Sequence, residues 1–225
     1  VDENELREHF PLTHVIPTMF SIFENLLGIS FTKAKGMPTW HEDVFRYEVK
    51  DTKSKEVLGY MFLDLYPRSG KYGHACANQT SEPRKDPQTN LQKPPTVTLI
   101  CNFAKPSKGT LSLLSRYDVE TIFHEFGHAI HFLLSRAEYV SQSAFKTKMD
   151  FVEAPSQLLE HWCWNPRILE KLTKHYKTGK PLSKAKITAL ASSENHMEGY
   201  SKTRQMVQSL LSLDIHQQNI PDVRA

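Results

Sequence analysis

Between Asp118 and Leu134 the apolar residues Val119, Ile122, Phe123, Phe126, Ile130, Phe132, Leu133 and Leu134 recur at helical spacing. Inside that stripe sits His124-Glu-Phe-Gly-His128, the pattern HExxH. A helix advances about 100° per residue, so His124 and His128 project from nearly the same face one turn apart, as two imidazoles must to share one zinc ion. Glu125 lies about 100° around from His124, able to reach a water near such an ion but angled away from ligating it. About 0.04 matches to this pattern arise by chance in a chain with this content of His and Glu. Coincidental surface histidines are the competing reading, and the apolar flank weakens it, because two imidazoles and a carboxylate are costly to bury without partners. The fold must therefore bring further polar groups to this helix, and the chemistry points to a hydrolase.

A catalytic zinc keeps three protein ligands and one open position. His131 is only three residues past His128, off the longer HExxHxxGxxH spacing, so a carboxylate is expected as the third ligand. Glu153, 25 residues after His128 and flanked by Phe151, Val152 and Ala154, is the first candidate. Glu138 and Glu160 compete with it.

Composition excludes several classes. Lys plus Arg is 28 against 25 Asp plus Glu, and the scattered net charge of +3 lacks the clustering that nucleic acid or an anionic membrane would need. The longest apolar stretches, such as Thr96 to Ala104, are of strand length, far short of the ~20 residues that cross a bilayer. Cys76, Cys101 and Cys163 form no CxxC pair and read as free thiols of a reducing compartment. The Lys171, Lys174, Lys177, Lys180, Lys184 and Lys186 run reads as a solvated face. No signal peptide is visible at the Val1-Asp2-Glu3 start, and the absence of an initial Met suggests a fragment.

Along the chain, Leu12 to Leu27 reads as a helix stopped by Gly28. Phe45 to Lys50 alternates, and Val57 to Tyr66 is an apolar run, so the two predict a hairpin. Residues 67–95, rich in proline and polar residues, read as a long loop without an assigned role, within which Tyr72 and His74 either reach a substrate or belong to an ordinary turn. Thr96 to Phe103 predicts a third strand, placed to hold an extended peptide if it lies at a sheet edge and otherwise a core strand. Ser115 or Asp118 caps the HExxH helix, Pro155 starts another through Trp164, and two or three more follow. These elements predict an α+β, mostly helical chain in which a small antiparallel sheet precedes a helical zinc-binding half. It forms one unit over 1–225, with the β-containing part at about 40–105 and the zinc-helix part at about 115–225.

Phe123-His-Glu-Phe-Gly-His-Ala129 followed by Asp150-Phe-Val-Glu-Ala-Pro-Ser-Gln157 resembles the thimet oligopeptidase and neurolysin family of zinc metallopeptidases. Trp40-His-Glu-Asp-Val44, Leu63-Asp-Leu-Tyr-Pro-Arg68 and Gly70-Lys-Tyr-Gly-His-Ala75 are similar to that family too. The resemblance implies that His124, His128 and Glu153 bind one Zn2+ and that Glu125 is the general base. It also implies a part of the zincin-like oligopeptidase fold, whose deep channel admits short peptides and excludes folded proteins. Asn195-His-Met-Glu-Gly199 and Arg204-Gln205 look like the family's Asn-x-Gly and Arg-Gln segment. The family's later His-x-x-Gly-Gly-Tyr stretch and large helical N-terminal region are not in this chain, which reads as the central part of a catalytic domain. The expectation is a monomeric, cytoplasmic or alternatively mitochondrial, zinc-dependent endopeptidase acting on short peptides. The alternatives are a truncated, non-catalytic zinc- or peptide-binding fragment lacking the C-terminal oxyanion and substrate residues, and a helical domain without metal.

Overall fold

Two helices open the chain in a computed structural model that describes residues 2–107, 109–194 and 196–217. They are α1 (Glu3–Arg7) and α2 (Leu12–Leu27). Val15, Met19 and Phe23 line the buried face of α2, which ends at Gly28 with φ 67°, a left-handed stop that favours glycine. The strands β1 (Ile29–Lys33), β2 (Phe45–Asp51), β3 (Val57–Asp64), β4 (Cys76–Ser81) and β7 (Thr96–Ile100) form one sheet in the order β1-β2-β3-β7-β4, and β5 (Arg84–Lys85) with β6 (Gln92–Lys93) forms a separate ribbon.

The sheet corrects two expectations and decides between the two readings of Thr96 to Phe103. It is mixed rather than antiparallel, since β3 and β7 run parallel with Tyr60 opposite Thr96 and Asp64 opposite Ile100. A parallel neighbour requires a long crossover, and residues 65–95 supply it. That segment is not a structureless loop, because within it lie β4 and the β5–β6 ribbon. β7 is an inner strand, with Val97, Thr98 and Leu99 all buried, and the edge on that side belongs to β4.

Seven of the aromatic rings join the layers. Phe126 sits 5.0 Å from Phe23, 5.8 Å from Phe31 and 5.9 Å from Phe20, while Phe20 meets Tyr47, and Phe23 meets Phe123 and Trp162. These rings tie α2, β1 and β2 to α3 (Arg116–Leu133), the helix that carries the HExxH pattern. Buried apolar residues from Leu6 to Leu190 form one continuous core. The later helices are α4 (Ala154–Glu160), followed by a 3₁₀ turn over His161–Trp164, then α5 (Pro166–Leu172), α6 (Lys184–Ser192) and α7 (Glu198–Gln217). The Lys171 to Lys186 run is exposed apart from a half-buried Lys186 that pairs with Glu5. α7 carries Arg204 and Gln205 and buries none of its residues, and Asn195 lies outside the described residues.

Candidate metal centre and active site

Ser115 opens α3 with a reciprocal cap. Its hydroxyl accepts from the Asp118 amide at 3.0 Å, and Asp118 Oδ2 accepts from the Ser115 amide at 2.8 Å. The helix then buries Ile122, Phe123, Phe126 and Ala129 fully, which leaves His124 and His128 on the remaining side with ring centroids 4.9 Å apart.

Glu153 reaches them from the start of α4. Its Oε2 lies 3.3 Å from His124 Nε2 and 3.1 Å from His128 Nε2, and one donor atom from each of the three residues falls within 4.8 Å of the others. Glycine makes this approach possible. A Cβ on Gly127 would stand 2.6 Å from Ser156 Cα and 3.0 Å from the Pro155 carbonyl, so α4 lies against α3 with no room for a methyl group. Ser156 is fully buried and donates its hydroxyl toward both the Glu153 carbonyl, at 2.9 Å, and Glu153 Oε2, at 2.7 Å. Burial alone would raise the Glu153 carboxyl, but the Ser156 hydroxyl and the imidazoles of His128 and His124 hold it below the usual carboxylate range. Burial pushes His128 down, toward the neutral imidazole.

Glu160 and Glu138 take other places. Glu160 touches His124 at Nδ1, the ring nitrogen opposite the one facing Glu153. Glu138 is exposed and stands 4.0 Å from Lys85. His131 lines a separate apolar cavity of 660 Å³ with Phe23, Ile130 and Leu134, which does not include His124 or Glu125.

Glu125 is 8% exposed. Burial raises its pKa, partly offset by His124 and by a hydrogen bond from the Ala77 backbone on β4. The cleft beside it holds about 310 Å³ and is lined by His74, Tyr117, Glu120 and Thr121 as well as His124 and Glu125. His74 thus faces the cleft, whereas Tyr72 is exposed and leans on the His74 ring 5.5 Å away. The loop bearing both is anchored by Lys71, whose buried ammonium donates to the carbonyls of Asp64 (2.9 Å), Tyr66 (2.7 Å) and Cys101 (2.5 Å) and lies 3.0 Å from Asp64 Oδ1. Asp64 also takes both Arg68 guanidinium nitrogens, at 2.7 and 2.8 Å, and the Trp40 indole N–H at 2.9 Å.

The sequence alone assigns no role to Ser156, which stands there only within the Asp150–Gln157 motif, or to the Ala77 amide. Ser156 has a local signal, three residues from Glu153 and so one helical turn along. A backbone amide delivered by an irregular polar strand has none.

Residues 1–224 match the family described as Peptidase family M3. The chain is 37% identical over 222 residues to the thimet-like oligopeptidase of Dictyostelium discoideum, covering 97% of this chain and 33% of that protein. It is 33% identical over 223 residues to oligopeptidase A of Escherichia coli (strain K12), covering 99% and 32%, and 37% identical over 227 residues to saccharolysin of Saccharomyces cerevisiae, covering 96% and 31%. The chain thus spans about a third of the length of these curated relatives. With the family matched from end to end and the HExxH helix meeting a downstream glutamate in space, the chain belongs to peptidase family M3.

Proposed function

We propose that this chain is the metal-bearing part of a catalytic domain that hydrolyses internal bonds of short peptides, with one zinc ion held by His124, His128 and Glu153. The observation that carries the reading is the convergence of two imidazole nitrogens and one carboxylate oxygen within 4.8 Å from two helices. The donors suit zinc, being two imidazoles, with His128 held toward its neutral form, and a carboxylate held ionised. Zinc, when bound, supplies a Lewis acid for a peptide carbonyl and brings the pKa of water from ~16 toward ~7.

The chain's own residues do the rest. Glu125, its pKa raised by burial, accepts a proton from the attacking water and returns it to the leaving amide nitrogen. The edge strand β4, which already directs the Ala77 backbone at Glu125, supports an extended substrate through backbone hydrogen bonds. His74 and Tyr117 line the same cleft and bound the substrate's path. Three free thiols, two of them buried, support a reducing compartment, the cytoplasm or alternatively the mitochondrion.

Zinc analysis together with cleavage of a quenched fluorescent nonapeptide tests this. About one zinc per chain is expected. Glu125→Gln should keep its zinc and lose roughly 10²–10⁴-fold in kcat. Undiminished cleavage by that variant removes Glu125 from the mechanism. The chain's share of its relatives' length favours a second reading, in which these 225 residues bind zinc and peptide without turnover; full zinc with no cleavage by the wild type selects it.

A further inference from the structure

We propose that Glu160 is a positioning residue of this centre, holding His124 as the tautomer protonated at Nδ1 so that Nε2 is the nitrogen offered to the ion. The inference rests on the zinc reading above and adds a role for a carboxylate that does not ligate. A neutral imidazole carries one N–H, and the acceptor beside a ring nitrogen decides where that hydrogen sits. At His124 the two nitrogens have distinct neighbours: Nδ1 is in direct contact with Glu160 Oε1, and Nε2 faces Glu153 Oε2 at 3.3 Å. Glu160 has no competing cationic partner among the described residues, since its ion-pair contact is with His124.

Both carboxylates belong to one helical segment. Glu153 and Glu160 are seven residues apart and lie about 20° from eclipsed after two turns, so α4 presents them along a single line. The buried Ser156 between them, wedged against Gly127, fixes the height of that line over α3. One helical segment thus contributes the third donor at its N-cap and the orienting group for the first donor at its last turn. A plain ion pair between helices would share this contact, and the two roles separate by measurement.

In the zinc-loaded 225-residue chain, ¹⁵N NMR of the His124 ring is expected to show a proton on Nδ1 and coordination through Nε2. In competition with a chromophoric chelator, Glu160→Ala should weaken zinc binding about 10–100-fold, and Glu160→Gln by less, because its amide oxygen still accepts from Nδ1–H. Melting of the metal-free variants measures any purely structural share. Coordination of His124 through Nδ1, or a Glu160→Ala variant within about twofold of wild-type zinc affinity, would overturn the assignment. The ring measurement decides by itself should the alanine variant not fold. Wild-type protein that takes up no zinc, with His128→Ala making no difference, refutes the metal reading itself and this role with it.

Discussion

At the residue scale, a demanding electrostatic group outside the candidate metal centre is Asp64, whose side chain is 4% exposed. Burial would raise its pKa, yet the bonds from Arg68, then Trp40 and Lys71, hold it down at about 2. A carboxyl depressed in the folded state contributes stability above its unfolded pKa and loses it as pH falls through the folded value. Asp64 should therefore contribute about 2 kcal/mol at neutral pH, fading between about pH 4 and pH 2. Asp64→Asn should cost about 3 kcal/mol at pH 7, because it strands the buried Lys71 ammonium and unpairs Arg68. Denaturant titrations of both proteins at pH 7 and pH 3 should show the gap narrowing with acid, and a constant gap would contradict the pairing. The paired histidines of the candidate metal centre were easier to foresee than Asp64. His124 and His128 follow from a period of 3.6 on one helix, whereas Asp64 depends on Trp40, 24 positions away, and on a loop that carries Lys71 back beneath the strand ends.

At the element scale, the contact between α3 and α4 controls where the third donor stands. Gly127→Ala would push a methyl group into Ser156, and no flexible side chain is there to yield. The expected cost is about 2 kcal/mol, a loss of about 6 °C in Tm, together with weaker zinc binding as Glu153 is displaced. Calorimetry and chelator competition on the same sample check both effects, and an unchanged zinc affinity would uncouple the helix contact from the site. α2 and α3 were legible in advance from one buried face at helical period, β2 from the alternation of its residues, and β3, buried on both faces, from a continuous apolar run. β4 was not. Its sequence Cys-Ala-Asn-Gln-Thr-Ser is half exposed at a sheet edge, with no apolar alternation to betray a strand. The parallel pairing of β3 with β7 was hidden for a different reason, since strand direction depends on the path of the crossover rather than on either strand's residues.

At the scale of the whole molecule, the three proposed donors come from α3 and from the N-cap of α4, separated in sequence by a stretch of short 3₁₀ turns and loop over residues 134–152. An ion joining them should stabilise the folded form by mass action, by about 4 kcal/mol when free zinc is a thousandfold above its Kd. Removing zinc with a chelator should thus lower Tm, and restoring it should reverse the change; a melting curve indifferent to zinc would count against the metal centre. Among the described residues one core runs from Leu6 to Leu190. The order of the strands could not be anticipated, being a property of contacts across the chain. Lys71 carries a last consequence. By gathering three carbonyls from two separate points of the chain around one ammonium, it stiffens the cleft wall. Under the proposed function, association would then require little further loss of freedom from the receptor, and selectivity among peptides would fall mainly to how readily each can straighten.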